Sequence, residues 1–587
     1  MCGIVGYIGN NKCIPKILCG LESLEYRGYD SAGIAYVKNN NVVIKKEEGR
    51  IANLKSILDI NDESYMGIGH TRWATHGKPC TLNSHPHRVG KVTIVHNGIL
   101  ENYASLREEL GYEQVTETDS EIVAAYINKM LDSMSILDIL KSLKDKFIGS
   151  YALGIIIDGD SNLYAIRHDS PLILGVHDDG NYIASDVPAI LSFTNKYYLL
   201  LNDEYAVISN DKIEIYNDGI LQNKELLTFE GDLESAMKNG YEHFMLKEIY
   251  EQPKVIQDTI KSVGDIFTTF KGLEDYDAID IVGCGSAYHV GLVGKYLISK
   301  YGNVIVNADI ASEYRYTDHV YLKKHLIIVI SQSGETADTL AVLRKAKEDG
   351  VATLALVNVV GSSIAREADS VIYIKAGVEV AVATTKAYIC QLIVLSLMAS
   401  YLGIKKGNLD ESILLEYNKI SNMVQSILDD TSDVEEIANS IYKNNDVFYL
   451  GRKSDYAIAM EASLKLKEIS YKHSEAYAAG ELKHGTISLI EDNTPVISIV
   501  LDDIVRLKTL SNIKEVCSRG ALSIIITDTP IEDAELYNKL IYVPKVHELL
   551  GGILAMIKCQ LIAYYVAKLN GCDIDKPRNL AKSVTVE

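Results

Sequence analysis

Met1-Cys2-Gly3-Ile4-Val5-Gly6 opens the chain, and its second residue carries the first decision. Removal of Met1 would leave Cys2 with a thiol and a free α-amine on one residue. An α-amine has a reference pKa of about 7.7–8.0, so near neutral pH it can take the thiol proton directly or through a water. Only a terminal residue combines the two groups. A cysteine after an initiator is otherwise an ordinary small residue. The stretch from Arg72 to Asp119 decides between these readings.

Composition removes several classes. With 587 residues the chain has room for three to four domains of about 150 residues each. Its 47% apolar and 23% charged content supports substantial cores and argues against disorder. A net charge of −21 argues against nucleic acid as a partner, while leaving room for a local pocket that holds a small phosphate. Nine cysteines, an odd number without a Cys-x-x-Cys pair, fit a reducing, cytoplasmic compartment better than a disulfide framework. No charged segment followed by an apolar one precedes the first strand, so a secretory signal is not expected. Ala387–Ile404 runs 18 residues without a formal charge. It contains Gln391, Ser396 and Ser400 and has no companion span. A helix inside a soluble domain is therefore expected, with no membrane partner.

The first part of the chain reads as strands at Gly3–Ile8, Ser31–Val37, Met66–Thr71, Lys91–Ile99, Tyr151–Ile157 and Asn162–Arg167. Helical stretches lie near Tyr103–Leu110 and Ser120–Leu131. Strands and helices in blocks predict an α+β domain of layered antiparallel sheets. The chain turns polar at Gly231–Gly240, and a domain boundary is placed there. Beyond it strands and helices alternate, and the pattern repeats. Ile281-Val282-Gly283-Cys284-Gly285-Ser286-Ala287-Tyr288 aligns with Tyr449-Leu450-Gly451-Arg452-Lys453-Ser454-Asp455-Tyr456 at an offset of 168. Cys390-Gln391-Leu392-Ile393 recurs as Cys559-Gln560-Leu561-Ile562 at an offset of 169. The strand Leu326–Ile330 has its counterpart in Val496–Val500. Landmarks in one order at nearly one offset predict a duplicated α/β domain with parallel sheets.

An N-terminal thiolate attacking an amide needs donors for the oxyanion and opposite charges to hold a zwitterionic amino acid. Asn97 and the Gly98 N–H can supply the donors, and Arg72 and Asp119 the charges. Taken singly, Asn97-Gly98 reads as a hairpin turn, Asp119 as a helix cap and Arg72 as a solvated charge. Their occurrence together with Cys2 raises them. Cys2–Gly6, Leu24–Gly33 (LEYRGYDSAG), Arg72-Trp73-Ala74-Thr75-His76-Gly77 and Asn97-Gly98 resemble the N-terminal-nucleophile glutamine amidotransferases. Within that group the chain resembles the glucosamine-6-phosphate synthase family over essentially its whole length.

The resemblance implies an N-terminal-nucleophile hydrolase domain over 2–235, a linker at 236–245, two sugar-isomerase (SIS) subdomains at 246–425 and 426–574, and a tail at 575–587. It implies that Arg72, Thr75, His76 and Asp119 bind glutamine, that Asn97 and Gly98 form the oxyanion hole, and that Trp73 gates an ammonia channel. The expected activity is the glutamine-dependent conversion of fructose 6-phosphate to glucosamine 6-phosphate and glutamate, the first step of amino-sugar nucleotide synthesis.

Ser331-Gln332-Ser333-Gly334-Glu335-Thr336 follows a strand and precedes a helix, so its hydroxyls and N–H groups can hold a phosphate dianion. Alone it reads equally as a Ser/Thr cap. The corresponding strand of the second repeat ends in Leu501-Asp502-Asp503, where acid repels phosphate, so only the first repeat should bind it. The family has such a loop. The resemblance adds Cys284, Gly285, Ser286, Val382 and Ala383 to Ser331, Gln332, Ser333 and Thr336 around the sugar phosphate. Ala287 stands where the family commonly has a hydroxyl, which puts one contact in doubt or passes it to Ser286. The turn Gly283–Ala287 lacks the third glycine of a dinucleotide fingerprint, and no NAD is expected.

Lys465 and Glu468 share a helical face and alone read as a surface ion pair. The resemblance assigns Lys582, in the tail Asp575–Glu587, to Schiff-base formation and Glu468 to proton transfer. It gives His484, contributed by the neighbouring subunit of a homodimer, to ring opening, and Lys465 to the enolamine charge. No cofactor is needed, and no metal site stands out beyond a weak His85-Pro86-His87. Two alternatives fit less well. Amidophosphoribosyltransferases share the Cys2 half, but after Val500–Arg506 they require Gly-Thr-Thr, where this chain has Leu507-Lys508-Thr509. A sugar-phosphate-sensing regulator needs neither Cys2 nor the Lys582 tail.

Overall fold

The computed structural model describes residues 2–74, 77–229 and 238–585. Contacts divide the chain into two compact units, Met1–Ala236 with Ala581–Glu587, and Met237–Leu580.

In the first unit, alternation along the opening strand sets the layers. Gly3–Gly9 is buried throughout, and its side chains point alternately to two cores. Ile4 and Ile8 join Ile68, Val95, Ile156, Leu163 and Ala165 in an apolar layer drawn from both sheets. Val5 and Tyr7 pack instead with Ile14, Ile17 and Leu21 of the helix Cys13–Ser23. Among the described residues the first sheet runs Leu227–Thr228, Lys196–Leu199, Ile173–His177, Gly180–Ala184, Gly3–Gly9, Met66–Arg72, Ser31–Lys38, Asn41–Glu48. The second runs Ile220–Leu221, Ile213–Asn217, Tyr205–Ile208, Leu163–His168, Gly149–Ile157, Val92–Leu100, His87–Val89. Helices Asp119–Met130 and Ile136–Lys146 cover the outer face of the second sheet. This is the layered antiparallel α+β architecture expected from the sequence.

One reading needs correction. The hairpin turn that Asn97-Gly98 suggests when taken singly does not form, whereas the expected strand over Lys91–Ile99 does. The strand continues through them to Leu100, paired as far as Leu100 with Gly149. The glycine is needed in the ladder itself. Gly98 has φ +138°, and a Cβ there would lie 1.9 Å from the Ser150 carbonyl oxygen.

In the second unit two parallel five-stranded sheets share one order. The first runs Ile305–Ile310, Ala278–Gly283, His325–Ser331, Ala352–Val357, Ser370–Tyr373. The second runs His473–Ala478, Asp446–Gly451, Pro495–Val500, Leu522–Thr527, Lys539–Tyr542. In each, the first and third strands of the repeat lie side by side, and the order reverses between them. The crevice outside their carboxyl ends is where open α/β sheets bind ligands. Ala387–Ile404 forms most of the helix Lys386–Lys405, which is 94% buried over its most apolar stretch and packs in the largest core of the unit; the expectation that it has no companion fails, since the helix Glu548–Leu569 is also long and apolar enough to span a bilayer and is 83% buried over its most apolar stretch in the same core. A helix, Phe244–Tyr250, begins inside 236–245 because the Asp575 carboxylate accepts from the Phe244 and Met245 N–H groups. The helix Leu414–Asp429 runs unbroken across 425/426.

Candidate active sites

In the first unit, the end of the strand Met66–Arg72 brings Trp73 against Cys2. The half-buried Cys2 Sγ accepts from the Trp73 N–H at 3.2 Å and donates to the Trp73 carbonyl at 3.4 Å. Burial raises the thiol above its ordinary value, while the Trp73 N–H and the Arg72 charge act the other way. Gly28 permits the approach of the next loop, since a Cβ there would lie 2.7 Å from the Trp73 nitrogen. The Asp30 carboxylate accepts from Ala74 N–H at 2.9 Å, and Tyr29 meets the Trp73 ring edge-on at 5.9 Å.

Asn97 Nδ2 donates to the Cys2 carbonyl at 3.0 Å. Its Oδ1 faces His70 Nε2 at 3.1 Å, and the same nitrogen lies 3.0 Å from the His96 carbonyl. His70 Nε2 has two acceptors and so carries the proton, which orients the Asn97 amide with its N–H groups toward Cys2. Sequence reasoning missed His70, although it lies two residues before Arg72 on a buried strand. Arg72, 3% exposed, donates from its guanidinium to the Gly77 carbonyl at 2.9 Å. Asp119 opens the helix Asp119–Met130 without capping it, since its Oδ2 accepts from the Leu100 N–H at 2.8 Å. Cys2, Arg72, Trp73, Gly98 and Asp119 line one small cavity with His85, His96, Thr118 and Ser120. Thr75 and His76 lie outside the described residues. His85 and His87 are buried beside His70: the His85 ring lies tilted against His70 at 4.1 Å and meets His87 edge-on at 4.5 Å. No metal-binding cluster is present among the described residues.

In the second unit, the phosphate-loop candidate sits between the strand His325–Ser331 and the helix Ala337–Glu348. The Ser331 and Thr336 hydroxyls lie 2.9 Å apart, and Ser331 Oγ accepts from the Gly334 N–H at 3.0 Å. Thr336 stands at the cap position but makes no side-chain cap bond, so the plain-cap reading fails. Gly334 has φ +65°, and a Cβ there would lie 2.0 Å from Ser362 Oγ. Gln332 accepts the Asn358 N–H on its carbonyl, and Ser333 Oγ accepts the Glu335 N–H. The neighbouring strand Ala278–Gly283 leads through Cys284 and Gly285 into the helix Ser286–Gly302, on the other side of the switch point. Cys284 is held above its usual value by burial, and its sulfur lies 3.7 Å from Thr339 Oγ1.

Val382 and Ala383 lie in a buried loop tied down at several points. The Glu248 carboxylate accepts from Val380 and Ala381 N–H, Glu379 accepts from Thr385 and Ala387 N–H, and Val382 N–H donates to the Asp575 carbonyl. Lys465 is fully buried, with Nζ 2.5 Å from Glu468 Oε2, which rules out the surface-pair reading. Glu461, not assigned a role from the sequence, lies on the same helix face. His484 is exposed at the end of the short turn Glu481–His484. Lys582 is half-buried and belongs by its contacts to the first unit. In the second repeat the acids after the strand Pro495–Val500 are engaged internally, Asp502 with Lys453 at 2.7 Å and Asp503 with Arg506 at 2.5 Å.

Fold and sites define a glutamine amidotransferase domain joined to a duplicated sugar-isomerase domain. The SIS domain family matches residues 272–401 and 440–569, and the glutamine amidotransferase domain family matches 81–192. The glutamine–fructose-6-phosphate aminotransferase (isomerizing) of Clostridium acetobutylicum is 47% identical over 100% of both chains. That of Caldanaerobacter subterraneus subsp. tengcongensis is also 47% identical over 100% of both. The solved C-terminal domain of glucosamine-fructose-6-phosphate aminotransferase from Francisella tularensis matches with a TM-score of 0.55 at 38% identity, over 58% of this chain and 99% of that one. The chain belongs to the family of isomerizing glutamine–fructose-6-phosphate aminotransferases.

Proposed function

We infer that the chain transfers the amide nitrogen of glutamine to fructose 6-phosphate, giving glucosamine 6-phosphate and glutamate. The observation that carries this is the similarity to such enzymes over the full length of both chains, which takes in both halves of the chemistry. Hydrolysis of the amide consumes a water and imine formation returns one, so the overall exchange balances.

In this reading Cys2, freed by loss of Met1, attacks the glutamine amide after its α-amine takes the thiol proton. The Asn97 amide and the Gly98 N–H stabilise the oxyanion, and Arg72, Thr75, His76 and Asp119 hold the amino acid's charges. In the sugar half, Cys284, Gly285, Ser286, Ser331, Gln332, Ser333, Thr336, Val382 and Ala383 hold the phosphorylated sugar. His484 of the partner subunit in a homodimer opens the ring. The Lys582 amine forms a Schiff base at C2, Glu468 moves a proton between C1 and C2, and Lys465 stabilises the negative charge that develops. The exposed position of His484 and the burial of Lys465 beside Glu468 support these roles.

Free ammonia in neutral water is mostly protonated and no longer nucleophilic, which favours a sheltered route, with Trp73 as its gate. Incubation with glutamine and fructose 6-phosphate, followed by identification of the sugar product, tests the reading. Glutamate formed with no amino sugar would contradict it.

A further inference from the structure

A buried charged cluster joins the two repeats of the second unit. On the helix Ser454–Ser470, Glu461, Lys465 and Glu468 share one face. The Lys465 ammonium lies between two carboxylates, 2.5 Å from Glu468 Oε2 and 3.4 Å from Glu461 Oε1. Two like acceptors compete for one buried cation, and Glu468 has it.

The first repeat supplies the reason. Ser286 Oγ donates to Glu461 Oε1 at 2.8 Å, and His289 Nδ1 lies 2.9 Å from Glu461 Oε2. Both residues stand on the helix Ser286–Gly302. Glu461 thus has a first-repeat donor on each oxygen, and a buried carboxylate so satisfied has less call on the lysine. The Ser286 hydroxyl also accepts from Lys465 Nζ at 3.2 Å, closing the network. Burial works against the charge on Glu461, but Lys465, His289 and Ser286 outweigh it and hold the carboxyl below its usual range.

We propose that His289 is a positioning residue for the sugar chemistry: by occupying the second oxygen of Glu461 it leaves the Lys465 ammonium to Glu468. It touches no reacting atom and acts through Glu461. The inference rests on the roles given above to Lys465 and Glu468. Without the His289 donor, Glu461 draws Lys465 toward itself, and both groups leave the geometry that turnover requires.

The test compares His289→Asn, His289→Gln and His289→Leu in the full-length protein at saturating glutamine. An Asn amide N–H reaches where imidazole Nδ1 donates, whereas a Gln amide reaches where Nε2 stands. His289→Leu and His289→Gln should lower kcat for amino-sugar formation on the order of 10- to 100-fold, with KM for fructose 6-phosphate moving less than about 3-fold. His289→Asn should recover most of kcat. Glutamine hydrolysis without sugar reports that each variant is folded in its other half, and fructose 6-phosphate binding reports the same for the sugar half. Equal kcat in the Asn and Gln variants, both of which keep a polar side chain, would overturn the inference. Lys465→Met separates the layers. If it abolishes turnover while His289→Leu leaves kcat intact, the positioning role alone fails. If Lys465→Met itself leaves kcat intact, the catalytic reading of the cluster fails.

Discussion

Gly285 and Lys453 occupy corresponding positions in the two repeats and adopt one backbone conformation, φ +55°, ψ −123° and φ +53°, ψ −125°. Glycine reaches that region freely, whereas a lysine held there stores about 1–3 kcal/mol of strain. Its ammonium reaches Asp502, so the second repeat closes with its own charges the turn that the first keeps open. Lys453→Gly and Lys453→Ala both lose the ion pair, but only alanine keeps the strain. The glycine variant should be the more stable of the two by about 1 kcal/mol in denaturant unfolding of the second unit. Equal midpoints would refute the strain.

The proposed phosphate loop should be separable from the proposed glutamine site. Ser333→Ala and Thr336→Ala each remove a hydroxyl from a dianion's surroundings, a loss of about 1.5–3 kcal/mol, or roughly 10- to 150-fold in KM for fructose 6-phosphate. Glutaminase activity without sugar should be unchanged. An unaltered sugar KM would place the phosphate elsewhere.

The amide of Asn97 is expected to carry much of the oxyanion stabilisation. Asn97→Ala should lower glutamine hydrolysis on the order of 10²–10³-fold in kcat. His70→Leu, which frees that amide to turn, should show a smaller loss of the same kind. Full glutaminase activity in Asn97→Ala would remove it from the mechanism.

The pH dependence of stability should have opposite signs in the two units. Burial drives His70 down to about 3 and holds His85 and His87 well below the usual imidazole range. Unfolded imidazoles titrate near pH ~6.5, so this stability is present above that value and is lost as pH falls toward the folded values. Trp73, the single tryptophan, lies in the first unit and reports its unfolding. Its denaturation midpoint should rise from pH 4 to pH 6.5. Asp455, pushed by burial up to about 7, works the other way. Its contribution is full below about pH 4, where the unfolded carboxyl is still protonated, and is lost as pH rises from there through about 7. Asp455→Asn keeps an acceptor for the Leu501 and Asp502 N–H groups and should flatten the second unit's fall between about pH 4 and pH 7. An unchanged slope would assign it to other groups.

What the sequence disclosed follows from the range of each interaction. The strand–turn–helix run at Ser331–Thr336 and the helix start at Asp119 are local patterns, legible because a strand end, a turn and a helix start lie within a few residues; the repeat is legible because such landmarks recur in one order at nearly one offset. Short strands such as Ile173–His177 and Gly180–Ala184 escaped notice, since each gains its place by pairing with a neighbour rather than by its own periodicity. His70 and His289 escaped for the same reason at longer range. Their partners Asn97 and Glu461 lie 27 and 172 positions away. Glu461, Lys465 and Glu468 did leave a trace, three ionisable groups on one face of a helix that is otherwise apolar there. Only burial separates that trace from an ordinary surface pair.

The central claim is that glutamine nitrogen reaches fructose 6-phosphate within this protein. The most direct measurement supplies amide-¹⁵N glutamine and fructose 6-phosphate in a buffer containing excess ¹⁴N ammonium, and reads the isotope in the sugar product by mass spectrometry. Glucosamine 6-phosphate carrying ¹⁵N, and none from Cys2→Ala, is the expected result. Glutamate without amino sugar, or an amino sugar carrying the nitrogen of the buffer, would contradict it.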